Sequence, residues 1–404
     1  MRKFIFLLIM AAMFLGACKS KKASVEPADF NDAMKSAAGK TVSFYGWGGD
    51  QMINRWIDTI LAPTLKQKYD VSLVRVPMDA GDILNKLTGE KQAGVNSGDI
   101  DVVWINGENF YLAKTAGLLY GPIIDKVENY ARYIDGDTPD SHFDFGVAIE
   151  GMEVPYGKAQ LVFIADSAVL NSFPAGTGEL LELAKRNPGR LTYPAPPNFT
   201  GSAFVRNIIS DIVGYDAFFN APADEQGLYA VIKPALDYLA ELKPYLWQQG
   251  ETYPRDNIAL DMMYADGQAL MTVNYTPFHA AQRIAAGQFP PTSRTFVFDR
   301  GNIGNTHYVA VAYNAPHKDA ALVLINHIIS AEMQISKYDT KNWGDLPVFD
   351  INRLNDDEKN LLNSIDNGIG ILSPATLQEK RIPEVQAEKV PVVDRLWYRH
   401  ILEK

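Results

Sequence analysis

Four short segments place hydrogen-bonding, charged or aromatic side chains directly after an apolar run, and none carries the spacing of a catalytic motif. Gly46-Trp47-Gly48-Gly49-Asp50 follows Thr41 to Tyr45, and Asn106-Gly107-Glu108-Asn109 follows Ile100 to Ile105. Asn274-Tyr275-Thr276-Pro277 follows Ala269 to Val273, and the run Pro194 to Ser202 follows Leu191 to Tyr193. Such residues do the chemistry of recognition. Trp47 and Tyr275 offer ring faces to an organic ring or cation. Asp50 and Glu108 offer counter-charge, and Asn106, Asn109 and Asn274 offer amide donors and acceptors. Trp47, between glycines, has no helical or strand face to bury it. Asp50 also stands where a helix N-cap would, and capping could use one of Asn106, Glu108 and Asn109 but hardly all three. Thr200 or Ser202 should occupy the N-terminus of the helix implied by Val205, Ile208, Ile209 and Ile212, where free N–H groups favour either a cap or an anion.

Other chemistries lack their motifs. The chain has no G-x-S-x-G elbow and no H-E-x-x-H, and its six histidines are scattered with none paired at zinc spacing. The acidic stretch from Asp135 through Asp137, Asp140 and His142 to Asp144 lacks the glycine and the terminal glutamate of a calcium loop, and reads as a turn-rich linker. The glycine-rich loop at Gly46 lacks the G-x-G-x-x-G spacing, and no Walker lysine follows it. A formal charge of −10 argues against a nucleic-acid partner. No catalytic residue, metal or cofactor is expected.

Alternating strands and helices must hold these loops in place. Ile53, Trp56, Ile57 and Ile60 recur on one helical face, with Pro63 expected to end or bend that helix. Val71 to Val76 reads as a second strand, and Ile83, Leu84 and Leu87 mark another helix. That order implies parallel βαβ units, whose ligands sit at the carboxyl ends of the strands. From Glu150 to Asp166 the chain enters an apolar run, Leu161 to Ile164, through Pro155 and Gly157. This reads as a crossing between two lobes, bent at Pro155 and Gly157, with Tyr156, Lys158 and Gln160 facing solute. Phe296 to Phe298 and His307 to Val311 look like the return crossing, and Trp343 lies on a later loop.

Residues 1–18 set the compartment. Arg2 and Lys3 precede an apolar run, Phe4 to Phe14, shorter than the roughly 20 residues a bilayer span needs, so it reads as a signal-peptide core. Leu15-Gly16-Ala17-Cys18 resembles a bacterial lipobox, and Cys18 is the only cysteine in the chain. The expectation is export with an acyl anchor on Cys18, followed by a polar tether. A hydrophobic content of 47% and a charged content of 21% then describe a globular body long enough for two domains.

Two α/β lobes joined by separated crossings resemble a type II solute-binding protein of an ABC importer. Tyr264 to Met271 and Ala320 to Gln334 match segments of that superfamily. A more specific resemblance is to the YnjB family, neighbour to thiamine, iron and polyamine receptors. It rests on Trp47 to Asp50, Ile53 to Asp58, Trp104 to Phe110, Gly157 to Phe163 and Thr192 to Phe204. The resemblance implies an α/β, two-lobed, periplasmic-binding-protein-like type II fold, each lobe a mixed sheet flanked by helices, with a cleft between. The divisions expected are signal peptide 1–18, tether 19–39, lobe I over 40–155 and 304–404, and lobe II over 156–303. The function implied is an extracytoplasmic, monomeric receptor, lipid-anchored to the cell membrane, that delivers a small solute to a membrane permease. Ferric receptors near this family use adjacent tyrosines, and no Tyr-Tyr pair occurs here. The cargo expected is a small polar organic solute, more readily a cation against Trp47, Tyr156, Tyr275 and Trp343. An anion held at Thr200 and Ser202 is the alternative, with a secreted hydrolase well behind. A cleft-facing Lys158 would count against a purely cationic cargo.

Overall fold

In the computed structural model the described residues are 26–403, so Cys18 and the expected signal segment lie outside them. The larger sheet runs β12–β11–β3–β1–β2 and is mixed. Its strands are β1 (Thr41–Gly46), β2 (Ser72–Pro77), β3 (Val102–Ile105), β11 (Asn302–Ala312) and β12 (Arg381–Pro383). β1 pairs in parallel with β2 and β3, whereas β11 runs antiparallel to β3. Strands β4 (Leu119–Tyr120) and β7 (Glu153–Gln160) also pair with β11. β5 (Phe143–Asp144) and β6 (Val147–Ala148) form a small separate hairpin. The parallel units follow from the alternation of β-branched runs and amphipathic helices.

The smaller sheet is β10–β8–β9, from β8 (Val162–Asp166), β9 (Met271–Asn274) and β10 (Ser293–Phe296). It is antiparallel throughout, where a mixed sheet was expected. Each sheet has its own core. Val42, Trp56, Val102, Val309 and Leu322 pack in one, and Phe163, Phe204, Leu236 and Val273 pack in the other.

The crossing at Glu153–Asp166 is a single extended run that changes sheets at Leu161, after Gln160 has paired with Gly304. The expected bend at Pro155 and Gly157 is instead a β-bulge. His307 pairs with Gly157 and Tyr308 with Pro155, which leaves Tyr156 as the extra residue. A bulge tolerates the proline's missing N–H. Leu161 to Ile164 are buried, as the apolar run implied.

Three segments depart from expectation. Residues 30–37 are not tether but a helix, Phe30–Ala37, capped by Asp29 and burying Phe30, Ala33 and Ala37 in the first core. Pro63 does not end the first long helix. The backbone widens to a π-turn over Ile57–Leu61 and continues through Ala62–Tyr69, with Pro63 in the first turn of that last piece. The C-terminal helix Val390–Trp397, placed with lobe I from its position after the return crossing, packs in the second core through Val392, Val393, Leu396 and Trp397. The Trp397 indole N–H donates to the Tyr193 hydroxyl at 3.0 Å.

Candidate functional site

The carboxyl end of β3 runs into the helix Gly107–Thr115. Asn106 holds the N-cap position, yet its side chain caps nothing and reaches toward the Thr306 carbonyl at 3.5 Å. Gly107 has φ +59°, the left-handed region a glycine adopts freely, and its N–H donates to the buried Asp144 carboxylate. This fixes Glu108 in the helix's first turn with its side chain in a cavity. Asn109 lines the same cavity.

The opposite wall comes from helix Phe199–Val213. Its cap is neither Thr200 nor Ser202 but Asn198, which accepts the Gly201 N–H at 3.1 Å. Ser202, one turn in, donates to Asp394 at 2.5 Å and accepts from Arg206 at 2.6 Å. Arg206 in turn forks onto Glu384 with two bonds of 2.9 Å. Tyr275 donates its hydroxyl to Glu384 at 2.7 Å. A third wall is the C-terminal helix, with Val390 and Asp394. Phe145, Pro197 and Phe199 complete a small cavity that opens to solvent.

Charge is unequal in this cavity. The Arg206–Glu384 pair is 1% and 2% exposed, and its remaining bonds go to Ser202 and Tyr275. Burial acts against the Arg206 charge, but the Glu384 carboxylate and its bonds hold the guanidinium above its ordinary value. Glu108 has no hydrogen bond or ion pair among the described residues, and Asp394 is bonded only through Ser202. Burial raises the Glu108 carboxyl above its usual range, the Asp394 charge adds to this, and Arg206 acts against it. Burial likewise raises Asp394, against the lowering effects of Ser202 and Arg206. Two carboxyls therefore share the cavity with one cation already matched.

Of the twelve residues singled out as site candidates, Asn106, Glu108, Asn109 and Ser202 meet in this cavity. Tyr275 supports it through Glu384 and through ring contact with Phe199 at 5.3 Å. Asp50 caps the helix Gln51–Trp56, accepting the Met52 and Ile53 N–H groups. Asn274 accepts the Thr276 N–H, and Thr200 is buried outside the cavity wall. Trp47 is 42% exposed at the end of β1 and is not in the wall.

Tyr156 and Trp343 do present faces to a cation, but the cation is the protein's own Lys337. Its Nζ lies 5.1 Å from each ring centroid, donates to the Tyr156 carbonyl, and pairs with Asp345 at 2.8 Å. Both rings are core, at 1% and 2% exposure. Gly157 is required here, since a Cβ would come within 2.0 Å of the Asp345 carboxylate. Lys158 is directed to Asp140, not to the cavity. Sequence reasoning missed Arg206, Glu384, Asp394, Phe145 and Phe199. For Arg206 a signal existed: a lone cation in the apolar helix, one turn from Ser202. For Asp394 there was none, because only the packing of Trp397 carries it to the cavity.

The family is decided by comparison with known proteins. Residues 60–354 match the family described as bacterial extracellular solute-binding protein. The chain belongs to that family. It is 36% identical over 352 residues to Protein YnjB of Escherichia coli (strain K12), covering 87% of this chain and 90% of that one. In fold it is similar to the periplasmic binding protein AfuA of Actinobacillus pleuropneumoniae, solved with fructose-6-phosphate, with a TM-score of 0.63 and 15% identity over 90% of this chain and 99% of that one. A periplasmic thiamin binding protein matches with a TM-score of 0.62 and 16% identity, covering 90% and 95%. The chain is thus an extracellular solute-binding protein with the two-lobed fold of the periplasmic binding proteins. Among the described residues no helix is long and apolar enough to cross a membrane.

Proposed function

We propose that this receptor captures a small organic cation in the cavity between Glu108 and Asp394 and presents it to the permease. The carrying observation is the unmatched carboxyl pair, with Arg206 saturated by Glu384. A bound ammonium or ring cation would meet Glu108 from the first lobe and Asp394 from the second, and Phe199 would offer it an aromatic face. Contacts from both lobes favour the closed arrangement, because only that arrangement makes them all. The similar folds bind solutes of either charge, a sugar phosphate in one and thiamin in another, so the lining residues carry the choice. The anionic alternative is weakened by the wall itself. Ser202 already gives its proton to Asp394, and Asn198 caps the helix N-terminus.

Calorimetric titration of the purified protein with thiamine, polyamines and organic phosphates tests this. The expected result is saturable binding of a cation, lost on Glu108→Gln. Failure of every organic cation to bind would overturn it. We also propose that the receptor is held at the membrane by acylation of Cys18, which the lone cysteine in a lipobox-like setting supports. Cys18→Ser should move the protein from the membrane fraction to the soluble one, and unchanged fractionation would count against the anchor.

A further inference from the structure

The strands that cross between the lobes carry a second charged cluster of the opposite balance. Lys158 on β7 stands in register with Thr306 on β11, so both side chains emerge on one face. Arg381, at the start of β12, lies over Gly304 and reaches that face, its Nη2 donating to the Thr306 hydroxyl at 3.3 Å. Any Cβ at Gly304 would meet the Arg381 Nε at 2.6 Å, so this glycine leaves room for the guanidinium. Among the described residues Asp140 is the only carboxylate paired with either cation, and it sits 3.8 Å from Lys158 Nζ and 3.6 Å from Arg381 Nη1. Those separations attract but do not make hydrogen bonds.

The donors are therefore underused. Among the described residues the Lys158 ammonium makes no hydrogen bond, although its side chain is only 24% exposed. The Arg381 Nε is buried with no hydrogen-bond partner among the described residues. Leaving such groups without acceptors is unfavourable, and two cations facing one carboxylate leave a net positive charge. Asp135 acts on Lys158 from further off without pairing to it.

We propose that Lys158, Arg381 and Thr306 bind a small oxyanion of the carboxylate or phosphate type at the crossing strands. A singly charged oxyanion balances the cluster. The guanidinium presents its donors as a planar fork suited to such an anion, while the ammonium and the Thr306 hydroxyl supply donors from the side. Burial lowers the Lys158 ammonium from its ordinary value, ahead of the opposing effect of Asp140, and an anion beside it would restore its charge. None of these three residues lines the carboxyl-lined cavity.

The test is thermal unfolding of the full-length protein titrated with inorganic phosphate, with ionic strength held by sodium gluconate. Saturable stabilisation is expected. Lys158→Met should weaken the phosphate midpoint by ~10-fold or more, as loss of a charge-assisted contact does. Asp140→Asn removes the competing carboxylate and should tighten it, so the two substitutions move the midpoint in opposite directions. If Lys158→Met fails to fold, Asp140→Asn still decides. Running the titration before and after co-purified molecules are stripped by unfolding and refolding separates two sources of the oxyanion. A free anion binds in both cases, whereas an acidic group of the solute blocks phosphate only in the unstripped protein. No stabilisation in either preparation, or a midpoint that Asp140→Asn leaves unmoved, overturns the proposal.

Discussion

Two groups of ionisable side chains meet near the line where the lobes join, and they are balanced in different ways. Lys337 and Asp345 pair one charge against one, with 0% and 2% side-chain exposure, under the rings of Tyr156 and Trp343. Burial alone would raise the Asp345 carboxyl, but Lys337 and His307 outweigh it and hold it below its ordinary range. Glu108 and Asp394 instead set like charge beside like, in a cavity open to solvent, and both carboxyls are raised. The first arrangement is complete without any other molecule. The second is relieved only by a proton or a cation. Both look equally polar and aromatic in one dimension, so charge balance in three dimensions separates scaffold from site.

The largest effect should come from breaking the balanced pair. Lys337→Met leaves Asp345 buried with only His307, at 3.6 Å, as a partner, and should cost about 3–5 kcal/mol in urea unfolding. Solute binding should fall only to the extent that the fold is lost. A variant that unfolds within about 1 kcal/mol of the parent, yet no longer binds solute, would put Lys337 in the site and erase the distinction.

The unbalanced pair should respond in the reverse sense. Glu108→Gln removes a carboxyl that is raised by burial, so stability should hold or rise slightly while affinity for an organic cation drops roughly 10- to 100-fold, or about 1.4–2.7 kcal/mol. Calorimetry alongside urea unfolding reads both. A stability loss as large as that of Lys337→Met would mean that Glu108 belongs to the scaffold.

How much of this was legible follows the same division. Strand ends are written locally, in an apolar run followed by polar residues, and that rule picked out Asn106, Glu108 and Asn109, which line the candidate cavity. The helix at Phe199 was legible too, though its cap fell on Asn198 because the chain turns in earlier than the hydroxyls suggested. Tyr156 and Trp343 misled because an aromatic ring serves a ligand cation and a buried lysine equally well, and nothing near Lys337 in sequence marks it as buried. The bulge that turns Tyr156 inward depends on pairing with His307 and Tyr308, far along the chain. Asp394 lies in a stretch, Val390 to Trp397, that reads as any amphipathic helix. Its role depends on which core that helix enters, and Trp397 settles this only once Tyr193 is in place.

The smallest effect, and the most diagnostic of the unbalanced pair, is its dependence on pH. Glu108 and Asp394 have folded-state values raised above those of the unfolded chain. For a carboxyl shifted in that direction, the unfolded chain ionises first as pH rises. The empty receptor should therefore lose stability progressively between the ordinary carboxyl range and the raised values, and regain it on acidification through the same window. Cation affinity should run the other way, strongest where both carboxyls are ionised and falling as either takes up a proton. The expected signature is thus a crossing: as the pH falls toward the ordinary carboxyl range, the affinity declines while the melting temperature of the solute-free protein holds or climbs. Titrating Glu108→Gln over the same range isolates the share owed to Asp394. If affinity in the parent protein stays flat until the pH reaches the ordinary carboxyl range, the carboxyls are ordinary, and the claim that their imbalance marks the site fails.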